Sequence, residues 1–194
     1  METMLCATRI DETKVMLAGK DGFVNVLDVL TGKIIDHHQL SHSTINCLAR
    51  TSNVIIAGSE EGLETVNPFT LVSLERETIY TEKISAVAAA SWGVVSGTRD
   101  GILRLWKAEQ GALQRYGSNN LKAGKSVQRM LVHNDNVLVA AGDSLLFIDD
   151  EFEITRKLSI DFRINDMSLL SHGTLVLCGD GKIAQVNLTK GIYT

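Results

Sequence analysis

The stretch Val94-Val95-Ser96-Gly97-Thr98-Arg99-Asp100-Gly101-Ile102-Leu103-Arg104-Leu105-Trp106-Lys107 decides the fold. A short β-rich run leads to an Asp-Gly step, a strong local signal for a tight turn. A second run then alternates apolar and polar residues up to an aromatic. The pattern predicts two antiparallel strands joined by a short connection.

Working outward, a glycine closes an apolar run four more times. The segments are Val15-Met16-Leu17-Ala18-Gly19, Val54-Ile55-Ile56-Ala57-Gly58, Val137-Leu138-Val139-Ala140-Ala141-Gly142 and Thr174-Leu175-Val176-Leu177-Cys178-Gly179. With Gly97 included, the separations are 39, 39, 45 and 37 residues, so 194 residues hold about five repeats. Upstream of each lies another apolar run, beginning at Met4, Ile45, Ile84, Val127 and Ile164. Downstream lies a run of period 2, as in Phe23-Val24-Asn25-Val26-Leu27-Asp28 or Lys182-Ile183-Ala184-Gln185-Val186-Asn187, followed by a turn and a more polar run such as Lys33-Ile34-Ile35-Asp36.

Each repeat thus reads as strands a, b, c and d, with polarity rising from a to d. Connections of one to three residues between b and c force antiparallel neighbours. No window shows helical periodicity, which sets aside the helical forty-residue repeats. Sheets apolar on both faces at a and b fit a radial stack in which each is sandwiched between neighbours. The expected fold is all-β, a single β-propeller over residues 1–194 with about five four-stranded antiparallel blades at approximately 1–40, 41–79, 80–119, 120–159 and 160–194. It either closes with five blades or forms part of a larger, seven-bladed ring. An unclosed edge would be a site for pairing.

Bulk composition narrows the function. The net charge of −4, from 19 basic and 23 acidic residues spread along the chain, gives no extended basic face for nucleic acid. Neither a signal-peptide pattern nor a run of eighteen apolar residues occurs, so neither export nor membrane spanning is expected. Cys6, Cys47 and Cys178 lie far apart in apolar runs and read as reduced, buried thiols of a cytoplasmic or nuclear protein.

The opening stretch resembles the second half of a Trp-Asp (WD) repeat, with Lys107 where that family usually has aspartate. The resemblance implies a buried network joining a histidine before strand a, a hydroxyl in strand b, an aspartate in the b–c turn and a tryptophan in strand c. Carried onto this chain, the third repeat supplies Ser96, Asp100 and Trp106, with Thr81 or Glu82 in the histidine's place. The second supplies His42 and the first Asp21. No repeat is complete, so packing between blades must carry most of the stability.

The resemblance also implies that the b–c turns and d–a loops share the partner-binding face, with the residue before the turn acid as a contact. Those residues are Lys20, Glu60 and Arg99, whose mixed signs suit a polar protein surface better than a polyanion. The long 45-residue spacing places a loop over Tyr116 to Lys125 on the same face, adding Lys122 and Lys125 to the candidates, and His42 lies in a d–a loop there.

Chemistry is less well supported. His37-His38-Gln39-Leu40-Ser41-His42 and Cys47 offer metal-ligand types, but no second Cys/His pair stands at zinc-site spacing, so no metal and no cofactor is expected. The acidic groups Glu60-Glu61, Asp149-Asp150-Glu151 and Asp161 raise an alternative, a five-bladed enzyme with an axial carboxylate pocket acting on a glycan or small molecule. These residues fall in turns and at rims, and no nucleophile–base pair or phosphate loop accompanies them. The expected function is a non-catalytic scaffold or adaptor that binds protein partners within a multi-subunit complex, through the turn face or through an open blade edge.

Overall fold

The computed structural model describes residues 3–77, 83–109, 112–116, 120–170 and 173–188, with the backbone of 192–193. Blade 1 is a sheet of β1 (Met4–Arg9), β2 (Lys14–Gly19), β3 (Phe23–Asp28) and β4 (Lys33–Gln39). Blade 2 holds β5 (Ile45–Arg50), β6 (Ile55–Ser59), β7 (Leu63–Val66) and β8 (Ser73–Glu77). Blade 3 holds β9 (Ile84–Ala90), β10 (Gly93–Thr98), β11 (Ile102–Glu109) and β12 (Ala112–Arg115), joined by β13 (Leu121–Lys122). Blade 4 is β14 (Val127–His133), β15 (Asn136–Ala141), β16 (Ser144–Ile148) and β17 (Ile154–Ser159). Blade 5 is β18 (Asp166–Leu169), β19 (Thr174–Gly179), β20 (Lys182–Asn187) and β21 (Ile192–Tyr193). The molecule is a five-bladed β-propeller. No helix of the described residues is long and apolar enough to cross a membrane.

The quoted stretch forms β10 and β11, paired from Val94↔Trp106 to Gly97↔Leu103. Gly101 closes the turn, its N–H donating to the Thr98 carbonyl at 3.1 Å with φ at +85°. A Cβ there would lie 2.6 Å from the Lys125 carbonyl oxygen, because the incoming d–a loop rests on this turn. The same clasp recurs: Leu40 and Ser41 donate to the Gly22 carbonyl, Ala123 to that of Gly101, and Ile164 to that of Gly142. Turns and loops are thereby fixed to each other on one face of the disc.

Strand register corrects the glycine alignment. The innermost strands bulge at one recurring step, so Met4 pairs with Gly19, Ile45 with Ser59, Ile84 with Thr98 and Val127 with Ala141. Gly58 and Gly97 therefore stand one residue earlier in the blade than Gly19, and Gly142 one residue later. The glycines mark the turn region, and backbone pairing sets the repeat. The long spacing is also no simple loop: β13 pairs with the start of β11 (Ile102↔Lys122, Leu103↔Leu121) while β12 pairs with its end. Together they make an interrupted outer strand.

The core consists of four layers, each shared by two successive blades. Met16, Val24 and Val26 meet Ile55 and Val66 between blades 1 and 2, and Ile56 and Leu63 meet Val94 and Trp106 between blades 2 and 3. Val95 and Leu103 meet Val139 and Leu146 between blades 3 and 4, and Leu138 and Leu145 meet Leu175 and Val186 between blades 4 and 5. Among the described residues no fifth layer joins blade 5 to blade 1, and β1 does not pack on β18 as the other inner strands pack on each other. For this reason β1 and β18, expected to be apolar and covered at the centre, are partly exposed.

Candidate interaction face

Among the described residues the turn face carries most of the ion pairs, and these decide which charges are engaged. Glu60 is held by Lys83 of the next blade at 2.6 Å, so of the three candidates preceding or at the turn it is the one already engaged. Arg76 spans Glu61 at 3.2 Å and Glu64 at 3.0 Å while donating to the Leu40 carbonyl, locking the blade 1–2 loop. Lys125 pairs with Asp143 at 2.5 Å and so braces blades 3 and 4, and Lys122 is exposed on β13. Lys20 and Arg99 are exposed and take part in no ion pair among the described residues. They occupy b–c turns of blades 1 and 3, each on a turn held by its own d–a loop.

The network implied by the WD resemblance is present only in pieces. Trp106, 1% exposed, donates its indole N–H to the Ser96 hydroxyl at 2.9 Å inside the blade 2–3 core. Asp100 instead accepts from the Thr98 hydroxyl, and Asp21 caps the Phe23 N–H at 3.1 Å. His42 is exposed, its Nδ1 3.4 Å from Gln39, so it does not reach a buried network; the neighbouring Ser41 takes the buried place in that loop. Blade 2 carries Ala57 where the resemblance implies a hydroxyl, so that partner is lacking for the imidazole, which stays in water. Thr81 and Glu82 lie outside the described residues.

Two cavities test the catalytic alternative. On the turn face, Lys125, Gln128, Asp143, Asp161, Phe162 and Arg163 line an open groove of about 600 Å3 between blades 4 and 5. The hydrogen bond from Lys125 holds the Asp143 carboxyl below its ordinary range, and Lys182 does the same for Asp161. Both shift downward, so the pair lacks the division into a protonated acid and an ionised partner that glycoside cleavage needs. On the axis, a cavity of about 580 Å3 is lined by inner-strand residues of all five blades and holds one carboxylate, Asp166. Glu60, Glu61 and Asp149 to Glu151 lie in turns away from that lining.

Counted from Met4, Ile45, Ile84, Val127 and Ile164, the third residue borders this axis in every blade: Cys6, Cys47, Ala86, Arg129 and Asp166. Burial raises the Cys6 thiol to about 12 and pushes Cys47 up as well, so both are unreactive packing groups at neutral pH. Arg129 bonds Asp166 across the blade 4–5 seam at 2.7 Å. This pair was not among the sequence candidates, although taking the third residue of each inner apolar run, from Val127 and from Ile164, finds it. A second feature without a sequence expectation is Trp92, in the β9–β10 turn on the opposite face. Its N–H donates to the Asp135 carbonyl at 2.6 Å beside a groove of about 790 Å3 that also contains Lys107 stacked over Tyr116.

Among the described residues no group of three or more His, Cys, Asp or Glu could hold a metal ion. No protein-family model matches the chain, and no curated protein matches it. Its backbone does superpose on that of a solved structure. The crystal structure of the computationally designed Ika8 protein matches with a TM-score of 0.74 at 21% identity, over 99% of this chain and 60% of that one. That likeness is one of fold, and this chain spans 60% of the designed protein's length.

Proposed function

We propose that this chain is a non-catalytic scaffold, a divergent WD-repeat-like propeller whose turn face binds another protein within a multi-subunit complex of the cytoplasm or nucleus. The observation that carries the reading is the exposed placement of Lys20 and Arg99 on two clasped turns, neither in an ion pair among the described residues, while Glu60, Glu61 and Lys125 on the same face are engaged. Turns whose backbone is already clasped lose little backbone entropy on docking, and mixed charges favour one protein partner over others. The single, paired carboxylate on the axis and the two ionised carboxylates of the groove favour binding over hydrolysis.

The test replaces Lys20, Glu60 and Arg99 together and compares the proteins captured by parent and variant from cells that make this chain, each identified by peptide sequencing. A partner is expected to be lost from the variant. The one ion pair removed, Glu60–Lys83, is worth under about 1 kcal/mol, so the melting temperature should fall by no more than about 4 °C. An identical set of captured proteins would refute the assignment of this face.

A further inference from the structure

We propose that the two end faces of the blade array, one on blade 1 and one on blade 5, are the docking surface for further four-stranded blades carried by a second polypeptide. The proposal rests on the scaffold reading and names the kind of partner.

The internal seams supply the standard. On the side of each blade that meets its follower, the third strand places Val24, Leu63, Leu103 and Leu145 opposite Ala18, Gly58, Gly97 and Ala140, and all four are 0% exposed. Blade 5 repeats the step with Ile183 opposite Cys178, and Ile183 is 76% exposed. On the side that meets the preceding blade, the second strand buries Ile55, Val94, Val137 and Leu175 in blades 2 to 5. The matching Val15 of blade 1 is half-buried, as are Leu17 and Leu27 beside it.

An exposed leucine or isoleucine alone would mean little. Here each end face is one half of an interface that the same chain completes four times, and its aliphatic positions fall on the same register steps. What covers those steps at every completed seam is the aliphatic face of a four-stranded antiparallel sheet. Continuity with these seams therefore fixes the chemistry of the occupant.

A second copy of this chain does not fit the space. The inner strands of all five blades, β1 and β18 included, already border one axial cavity. The opening between blade 5 and blade 1 is thus a gap in a single ring, and five more blades would have to pull that axis apart. A separate chain contributing a few blades completes the ring without moving the five that are present.

Cys178 lies on the blade 5 face opposite Ile183 and reports its state directly. The full chain is extended at its C-terminus, through a flexible linker, by a duplicate of residues 41–159, and thiols are labelled with N-ethylmaleimide, the buried Cys47 serving as the protected control. Labelling of Cys178 is expected to slow about tenfold or more in the extended chain and to recover when Ile183→Asp is added to it. In parallel, parent and I183D baits are compared, with captured proteins sequenced. The expected result is a protein of repeated β units near forty residues that the parent and the Lys20/Glu60/Arg99 variant retain and I183D loses.

Unchanged Cys178 labelling in the extended chain overturns the docking surface. So does a parent in which Cys178 is already as slow as Cys47, since the end faces would then cover each other. A parent that sediments as a dimer dissociated by I183D assigns the face to a second copy instead. Capture that I183D leaves unaltered, or that contains no such repeat protein, overturns the partner. Failure of the turn-face reading leaves this test intact, because the Lys20/Glu60/Arg99 variant keeps Ile183.

Discussion

Replacing Trp106 with alanine probes whether the seam between blades 2 and 3 holds the array together. The indole is 1% exposed, sits among Ile56, Leu63, Ile84 and Val94, and donates to Ser96, itself 0% exposed. Truncating a buried tryptophan costs about 3–5 kcal/mol through lost transfer energy and the cavity left behind. Loss of the indole donor takes from Ser96 a hydrogen bond whose net contribution is about 0.5–1.5 kcal/mol. Trp106→Phe isolates the second effect, since it keeps most of the buried area, and should cost about 1–2 kcal/mol. Guanidinium unfolding followed by far-ultraviolet circular dichroism measures each variant. Combining Trp106→Phe with Ser96→Ala should cost less than the two separately, by more than the roughly 0.3–0.5 kcal/mol within which independent sites add. A W106A loss below about 1 kcal/mol would refute the seam as a determinant of stability. Strict additivity in the cycle would show the Ser96 bond to be energetically silent.

The clasp between turn and loop predicts a contrast between glycines. Gly101→Ala meets both a left-handed φ and the Lys125 carbonyl at 2.6 Å, whereas Gly32→Ala, with φ at +67° and nothing within 4 Å, meets only the backbone cost of about 1–2 kcal/mol. G101A should therefore be the more destabilising in the same denaturation assay, and equal losses would contradict the close approach of the loop. A pH series tests the axis. Burial raises the Cys47 thiol above the unfolded value of 9.0, so its contribution to stability is complete below pH 9 and is lost as pH rises above it, at up to about 1.4 kcal/mol per pH unit. Between pH 8 and 10.5 the parent's midpoint should fall more steeply than that of Cys47→Ala; parallel slopes would place the thiol in water.

The sequence alone determined the repeat unit, the antiparallel order within it and the number of blades, because these depend on local patterning. Alternation at period 2, Asp-Gly turns and apolar inner runs are properties of a strand and its immediate neighbour in the chain. The burial of Trp106 was legible for the same reason, as was the shared axial position of Cys6 and Cys47. Only the tertiary structure decided which charges are tied into ion pairs. Glu60 and Lys125 look like Lys20 and Arg99 in sequence, yet Lys83 and Asp143 engage them from the adjacent blade. The bulges in the inner strands of blades 1 to 4, the offset of Gly58, Gly97 and Gly142 from Gly19, and the contact of Arg129 with Asp166 were likewise decided only by pairing and packing. Exposure of Ile183 was hidden most completely. Its local pattern is that of the buried Val24, Leu63, Leu103 and Leu145, and what separates it from them is a sheet that blades 1 to 4 have beside them and blade 5 does not. A one-dimensional pattern specifies which face of a strand is apolar; whether another layer covers that face is settled by packing.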